Sequence, residues 1–324
     1  MLLKMSRDVP RCLGIVVAVL LVLAGTALGQ VAGREVAITV DDLPAAGMTD
    51  DTVVQPAEVR DINEAILKAA NEHRAPLIGF VNEKKIDQSK DADALREVLM
   101  RWMVHGEELG NHGYSHADFD KLTVAEFEAE IERGQTTISQ VMGKYGRRVE
   151  YFRFPFNDAG DTQAKYDAIQ QYLKEHGLKT ATCTADNDDW EFNRAYVLML
   201  QRHDAAGAQR LRDAYLKHTA AKLDFAEQAM RQLFGREVPQ VMLLHGNRLN
   251  ADMMGAVLHI FEEQGFKFVH LEDAQEDLAY TTPAAVMPEG VMWQFRWAKG
   301  MGKKLDGSKD PEPPKWVLEY GKSR

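Results

Sequence analysis

Three short clusters of carboxylates and histidines lie far apart in the sequence. They are Asp41-Asp42, His112-x-x-x-His116 and Asp186-x-x-Asp189-Trp190. Two histidines four residues apart, with a carboxylate from elsewhere, are a typical ligand set for a divalent metal such as zinc or cobalt, and they leave positions for water and substrate. A second carboxylate beside a ligating one can accept a proton from water. The residue types therefore predict metal-dependent hydrolysis.

These clusters follow stretches that have the pattern of buried strands. The predicted strands are Glu35–Val40, Leu77–Val81, Glu108–Asn111, Val149–Phe154, Lys179–Thr184, Gln240–Leu244 and Phe266–Leu271. Helical patterns separate most of them, for example Ala57–Ala70, Ala92–Val104 and Ala208–Phe234, and Thr123-x-x-Glu126 is a capping box at the start of another helix. Strands that alternate with helices predict a parallel sheet closed, or nearly closed, into a barrel. Spacing alone leaves an open doubly wound sheet as the alternative.

Polar residues also occur at the carboxyl ends of the predicted strands, which is where such a barrel has its active site. The residues at or just after the ends of five predicted strands are Asp41, Asp42, His112, Arg153, Asp189 and His245. Taken singly, they could instead form a turn, a surface pair, a salt bridge, an acidic loop or a core hydrogen bond. Their common position at one rim favours a single shared site.

The first 29 residues have the pattern of a signal peptide. Lys4, Arg7 and Arg11 precede the apolar run from Leu13 to Leu28, and Ala27-Leu28-Gly29 resembles a cleavage site. At roughly 16 residues the run is shorter than the ~20 that usually span a bilayer, with an uncleaved anchor as the alternative. We therefore expect an exported protein, periplasmic or secreted, without stable membrane insertion after residues 1–29 are removed.

Charge and length limit the partners and the number of domains. The leader carries three basic residues and Asp8, so its removal changes the net charge from −10 to −12. A chain this acidic argues against nucleic acid or an anionic membrane as partner, whereas a glycan is compatible with it. We expect residues 30–280 to form one α/β domain, because no Pro/Gly/Ser-rich linker divides them. The aromatic-rich residues 281–324 are expected to pack on the barrel, with stacking on sugar rings as the alternative.

Five motifs, in order along the chain, resemble those of the polysaccharide deacetylases, the NodB-type carbohydrate esterases of family 4. They are Thr39-Val40-Asp41-Asp42-Leu43-Pro44, Asn111-His112-Gly113-Tyr114-Ser115-His116, Arg153-Phe154-Pro155-Phe156, Asp186 to Trp190 and Leu243-Leu244-His245. Leu43 stands where the family has Gly, and Gly113 where it has Ser or Thr. The segment between Asp189 and His245 is longer than is usual in the family. The resemblance implies a deformed (β/α) barrel of about seven parallel strands.

The resemblance also implies a role for each matching residue. Asp42, His112 and His116 would hold a divalent metal, with zinc expected and cobalt or nickel as alternatives. Asp41 would be the base that accepts a proton from water, and Arg153 would position the catalytic carboxylates. Metal binding and proton acceptance would thus come from adjacent aspartates.

The proton for the leaving amine and the contacts with substrate come from the later motifs. By the same resemblance, His245 would be the general acid, oriented by Asp189. A main-chain N–H near Phe156 would stabilise the oxyanion, and Trp190 and Leu243 would be apolar walls for the acetyl methyl group.

These roles describe an exported, metal-dependent deacetylase that acts on N-acetylated sugar units of a polysaccharide or cell-wall glycan. One alternative is an O-acetyl carbohydrate esterase, because the same attack by water cleaves esters. The other is a catalytically idle glycan-binding protein with the same fold. The sequence does not determine which glycan is bound, which metal is used or the oligomeric state.

Overall fold

The structure, a computed structural model, describes residues 33–49, 52–288 and 290–323. The signal peptide that the sequence predicts lies outside these residues. The strands are β1 (Glu35–Leu43), β2 (Leu77–Val81), β3 (Glu108–Asn111), β4 (Tyr151–Phe152), β5 (Lys179–Thr180), β6 (Ala185–Asp186), β7 (Gln240–His245) and β8 (Lys267–Phe268). The α-helices are α1 (Pro56–His73), α2 (Lys84–Asp87), α3 (Ala92–Val104), α4 (Val124–Gly134), α5 (Thr136–Gly143), α6 (Gln163–Glu175), α7 (Asp189–Gln201), α8 (Ala205–Phe234), α9 (Arg248–Glu263), α10 (Leu271–Gln275), α11 (Trp293–Gly300) and α12 (Lys315–Gly321).

The strands form one parallel sheet that curls into a nearly closed barrel. Their order is β5-β4-β3-β2-β1-β7-β6, and β8 pairs with the first residues of β1. The two edges, β5 and β6, are consecutive in the chain, and the five residue steps from Thr180 to Ala185 span at most ~18 Å. The edges must therefore approach each other. This confirms the deformed (β/α) barrel that the sequence predicts and excludes the open doubly wound sheet.

The fifth predicted strand, Lys179–Thr184, was wrong in detail. It is divided between β5, which pairs with β4, and β6, which pairs with β7. The Ala181 N–H donates to the carbonyl of Phe152, whereas the Thr184 N–H donates to the carbonyl of Val241. The segment changes its hydrogen-bonding partner as it crosses from one edge of the sheet to the other, so the described sheet has eight strands. β4 and β8 are also shorter than their predicted counterparts.

The helices follow from the apolar periodicity of the sequence. α3 has the predicted bounds, and α1 begins one residue before and ends three residues after the prediction. The capping box that opens α4 is present, because the Thr123 side chain accepts from the Glu126 N–H and the Glu126 carboxylate accepts from the Thr123 N–H. α8 is 30 residues long and turns one face, which includes Tyr215, toward the core. Among the described residues, no helix is both long and apolar enough to cross a membrane.

The residues after Tyr280 contact the helices and the barrel through their aromatic side chains. Trp297 is 1% exposed, and its ring meets those of Phe234 and Tyr280 edge to face. The N–H of the buried Trp293 donates to the carbonyl of Cys183, between β5 and β6. Such burial accounts for the apolar composition of this segment without a ligand.

Candidate active site

The carboxyl ends of the strands surround a cavity of about 520 Å³. The predicted site residues among its lining are Asp41, Asp42, His112, His116, Phe156, Trp190, Leu243 and His245. The other two, Arg153 and Asp189, are buried behind Asp41 and His245. The structure thus brings together all the residues that the sequence predicts for the site. Asp186, which had no assigned role, lines the cavity as well.

The side chains of Asp42, His112 and His116 converge on one point. Asp42 Oδ1 lies 3.9 Å from His112 Nε2 and 3.7 Å from His116 Nε2. Two donors that bind one zinc ion at ~2.0–2.2 Å can be at most ~4.4 Å apart, so both distances fit a common ion. Asp42 Oδ1 is also buried without a hydrogen-bond donor among the described residues. The donor types and the unpartnered oxygen make this a possible site for a divalent metal.

His112 is held as a neutral imidazole with its lone pair turned into the site. A carbonyl oxygen can only accept, so His112 Nδ1 donates to the Arg153 carbonyl at 2.8 Å, and Nε2 carries the lone pair. Burial lowers the pKa of His112 to about 4 and outweighs the nearby aspartates. Nε2 then faces Asp41 Oδ2 at 3.7 Å as well as Asp42. Acceptors that face one another in this way favour a cation between them.

Three of the site residues adopt a left-handed backbone conformation, which is rare outside glycine. The φ angles of Asp42, His116 and Phe156 are 69°, 57° and 56°. Such conformations cost free energy and cluster where function requires a particular side-chain direction. Gly113, between the two histidines, has φ of 78°. A Ser or Thr, the residues of the family motif, would be strained in this conformation, whereas Gly adopts it readily.

Leu43, the other departure, belongs to the core rather than to the cavity. Its side chain is fully buried and fills the space that two glycines leave. A Cβ added at Gly79 would lie 2.3 Å from Leu43 Cδ1, and one added at Gly246 would lie 3.0 Å from Cδ2. The larger residue after the aspartates is therefore accommodated by glycines on the neighbouring strand β2 and just after β7.

Asp41 has one oxygen held and the other left without a donor. Arg153 Nη1 donates to Asp41 Oδ2 at 3.4 Å, and Nη2 donates to Thr39 Oγ1 at 3.0 Å. Asp41 Oδ1 is buried without a hydrogen-bond partner among the described residues. Arg153 thus orients Asp41, and the remaining oxygen has the capacity to accept a proton.

His245 is held by a carboxylate on the side away from the cavity. Its Nδ1 donates to Asp189 Oδ1 at 2.6 Å, and its main-chain N–H donates to Asp189 Oδ2 at 2.7 Å. Burial disfavours the charged imidazole, but the pairing with Asp189 outweighs it and raises the pKa of His245 to about 10. His245 is therefore protonated at neutral pH, and its Nε2 is the nitrogen that remains to donate.

The motifs did not include Lys85, which belongs to the same site. Its Nζ lies 3.6 Å from Asp42 Oδ1 and donates to the carbonyls of Asp42 and Ala45 at 3.1 and 3.2 Å. Burial opposes ionisation of Asp42, but Lys85 and the nearby histidines outweigh it and lower the Asp42 pKa. Its position in the sequence could have identified it as a site residue, since Lys85 comes shortly after the carboxyl end of β2 at the same rim.

Comparisons with known proteins agree with this fold. Residues 29–181 match the sequence model of the polysaccharide deacetylase family. No curated protein matches the chain. Among solved structures, a mutant of a CE4 family pseudoenzyme with restored enzymatic activity has a TM-score of 0.52 at 16% identity, over 75% of this chain and 68% of its own. The wild-type pseudoenzyme, from Bacillus anthracis, has a TM-score of 0.52 at 14% identity, over 75% and 66%.

At such low identities the structural likeness shows the fold alone, whereas the sequence match gives the family that residues 29–181 resemble. The match covers the motifs that supply Asp41, Asp42, His112, His116 and Arg153. Residues 29–181 therefore match the polysaccharide deacetylase family, as the motifs predicted.

Proposed function

We propose that the chain is an exported, metal-dependent hydrolase that removes acetyl groups from N-acetylated sugar units of a polysaccharide or cell-wall glycan. One observation carries the proposal: ligand atoms of Asp42, His112 and His116 lie within 4.8 Å of one another at the cavity that also holds Asp41 and His245. The match of residues 29–181 to the polysaccharide deacetylase family supports the class of substrate.

The metal site is proposed to take zinc, with cobalt or nickel as alternatives. Two imidazoles and one carboxylate suit each of these ions, and the choice among them depends on availability. A divalent ion held by Asp42, His112 and His116 would supply Lewis acidity toward water and toward the acetyl carbonyl. Because His112 is already neutral and oriented, it needs no deprotonation in order to bind.

Asp41 and His245 would move the two protons of the reaction. Asp41 Oδ1 accepts a proton from the water that attacks the acetyl carbon, while Arg153 holds Oδ2 in place. The carbon–nitrogen bond then breaks, and His245 Nε2 donates its proton to the leaving amine. The products are acetate and a free amino sugar. Asp189 keeps His245 charged and correctly turned until that step.

The cavity walls suit an acetylated sugar. Leu243 lines the cavity but is only 5% exposed, as a wall for a methyl group requires. Trp190 is 51% exposed at the cavity and offers a flat apolar face to the substrate. Phe156 packs edge to face on His116, with ring centroids 4.4 Å apart, and its main chain is the proposed donor to the oxyanion.

Export is proposed from the leader-like first 29 residues, which lie outside the described part of the chain. The net charge of −12 after their removal argues against nucleic acid as a partner and is compatible with a glycan. Expression of the full chain with a C-terminal tag, followed by cell fractionation and N-terminal sequencing, tests this. A tagged protein that stays in the cytoplasm with an intact N-terminus would contradict export.

Acetate release from a panel of N-acetylated and O-acetylated glycans tests the activity. The chain is measured with zinc, cobalt or nickel and after treatment with a chelator. We expect acetate from N-acetylated oligomers, loss of activity with the chelator and recovery with metal. Release from O-acetylated glycans alone would support the esterase alternative. Glycan binding without release under any metal would support the idle alternative.

A further inference from the structure

The carboxylate that orients His245 is itself held by a buried chain of side chains. Asn250 Nδ2 donates to Asp189 Oδ2 and, at 2.9 Å, to the carbonyl of His245. The Tyr215 hydroxyl donates to Asn250 Oδ1 at 2.6 Å, and Asn187 Nδ2 donates to the Tyr215 oxygen at 2.7 Å. These five residues connect α8 and α9 with the loop that precedes α7.

The hydrogen bonds that link Asn187, Tyr215 and Asn250 are all donated in the direction of Asp189. A carboxylate can only accept, so the Asn250 amide must turn its N–H to Asp189 and its carbonyl to Tyr215. Tyr215 must then donate to Asn250, and its own oxygen accepts from Asn187. Burial raises the Tyr215 pKa well above the ordinary value, so the hydroxyl keeps its proton. Each hydrogen bond polarises the next and strengthens the last, on the carboxylate.

These hydrogen-bonded side chains are also fully buried around Asp189. Asn187, Asp189, Tyr215 and Asn250 are each 0% exposed. Asp189 Oδ2 accepts from the His245 main chain and from Asn250, while Oδ1 accepts from the His245 imidazole. Without Asn250 the carboxylate would lose the only side-chain donor, other than His245, that the described residues give it. It would then be held only by the two hydrogen bonds from His245, so its orientation would be less strictly fixed.

We propose that Tyr215 and Asn250 are positioning residues for the general acid, and that α8 braces the loop that leads into α7 at Asp189. The proposal rests on the proposed function of His245. α8 lies in the segment between Asp189 and His245, outside the five motifs.

A second group of contacts from α8 holds the same loop. His218 Nε2 lies 2.7 Å from Asp188 Oδ2, and Lys222 Nζ lies 3.4 Å from the same oxygen. Asp188 has φ of 55°, which the loop needs in order to turn into α7. One helix therefore fixes the loop at Asn187, Asp188 and, through Asn250, Asp189.

The test compares two substrates that differ in their need for an acid. An N-acetyl sugar oligomer needs its amine protonated, whereas an activated ester such as p-nitrophenyl acetate has a leaving group that needs no proton. The kcat of the zinc-loaded protein is measured on both substrates for Tyr215→Phe and Asn250→Ala. Tyr196→Phe is the matched control, because its buried hydroxyl also accepts from one side chain, Arg212, and donates to another, Asp252.

We expect the kcat ratio of amide to ester to fall about 10-fold in Tyr215→Phe and ~10–100-fold in Asn250→Ala, as for other residues that orient a reacting group. Tyr196→Phe should keep the wild-type ratio. Zinc content and Tm are measured for every variant. Properly folded, zinc-loaded Tyr215 and Asn250 variants with an unchanged ratio would overturn the proposal.

A measurement independent of turnover separates this proposal from the proposed function. The Nδ1–H of His245, in its 2.6 Å hydrogen bond with Asp189, should give a strongly downfield NMR resonance. We expect Tyr215→Phe to shift this resonance upfield and to speed its exchange with solvent, and Tyr196→Phe to leave it unchanged. A wild-type chain that cannot deacetylate any glycan refutes the proposed function. An unchanged resonance in Tyr215→Phe refutes the positioning role.

Discussion

The charge of His245 depends on the carboxylate of Asp189. The substitution Asp189→Asn removes that carboxylate with little change in the shape of the side chain. In the intact site the pKa of His245 is about 10, against an ordinary value of 6.5. Burial disfavours the charged ring, and Asp189 is the first of the groups that raise the pKa. Without that carboxylate we expect the His245 pKa to fall toward 6.5. The amide hydrolysis that needs a charged His245 should then fail at alkaline pH.

The size of the effect follows from the fraction of His245 that is protonated. At pH 8 a histidine with a pKa of ~6.5 is ~3% protonated, whereas one with a pKa near 10 is ~99% protonated. At pH 8 the activity of Asp189→Asn on an N-acetyl sugar should therefore be ~30-fold lower than that of the wild type, because less of its His245 is protonated. At pH 5.5 both proteins are at least ~90% protonated, so the loss should nearly disappear.

The assay is the ratio of variant to wild-type kcat/KM on an N-acetyl sugar oligomer from pH 5.5 to 9. The ratio removes every titration that the two proteins share, including that of the base. Asp252→Asn is the control, because Asp252 accepts from Tyr196 at 2.8 Å and makes no contact with His245 among the hydrogen bonds of the described residues. A loss in Asp189→Asn that is equally large at pH 5.5 and pH 8 would refute the ionisation argument and indicate a distorted site.

Three further substitutions test the neighbouring aspartates and the C-terminal segment. Asp41→Asn should retain zinc, as measured by metal analysis, and lose ~10²–10⁴ in rate with its proton acceptor, whereas Asp42→Asn should lose zinc affinity as well. Equal zinc loss in both variants, with similar remaining activity, would contradict these separate roles. Trp297→Ala should lower the free energy of unfolding in urea by ~3–5 kcal/mol, because the ring is 1% exposed against Phe234 and Tyr280. An unchanged urea midpoint would show that the segment contributes little to stability.

Local sequence patterns were sufficient for most of the elements and for the identity of the site residues. The bounds of α3, the capping box at Thr123 and the long helix α8 follow from apolar periodicity and capping chemistry within a few residues. Position at strand ends and agreement with the family motifs marked the ten predicted site residues. These are properties of short segments, so the sequence reveals them without knowledge of the fold.

The tertiary structure alone decided which atoms meet. Arg153 contacts Asp41 across 112 residues, and Asn250 reaches Asp189 across 61. The division of the fifth predicted strand at residues 181–184 depends on which strands flank it after the barrel curls. Lys85 and Tyr215 fit the local patterns of a surface helix and a packed helix. Lys85 lies beside Asp42 because β2 pairs with β1, and Tyr215 reaches Asn250 because α8 lies against α9. Contacts between distant segments depend on how the whole sheet curls, and no local pattern records that.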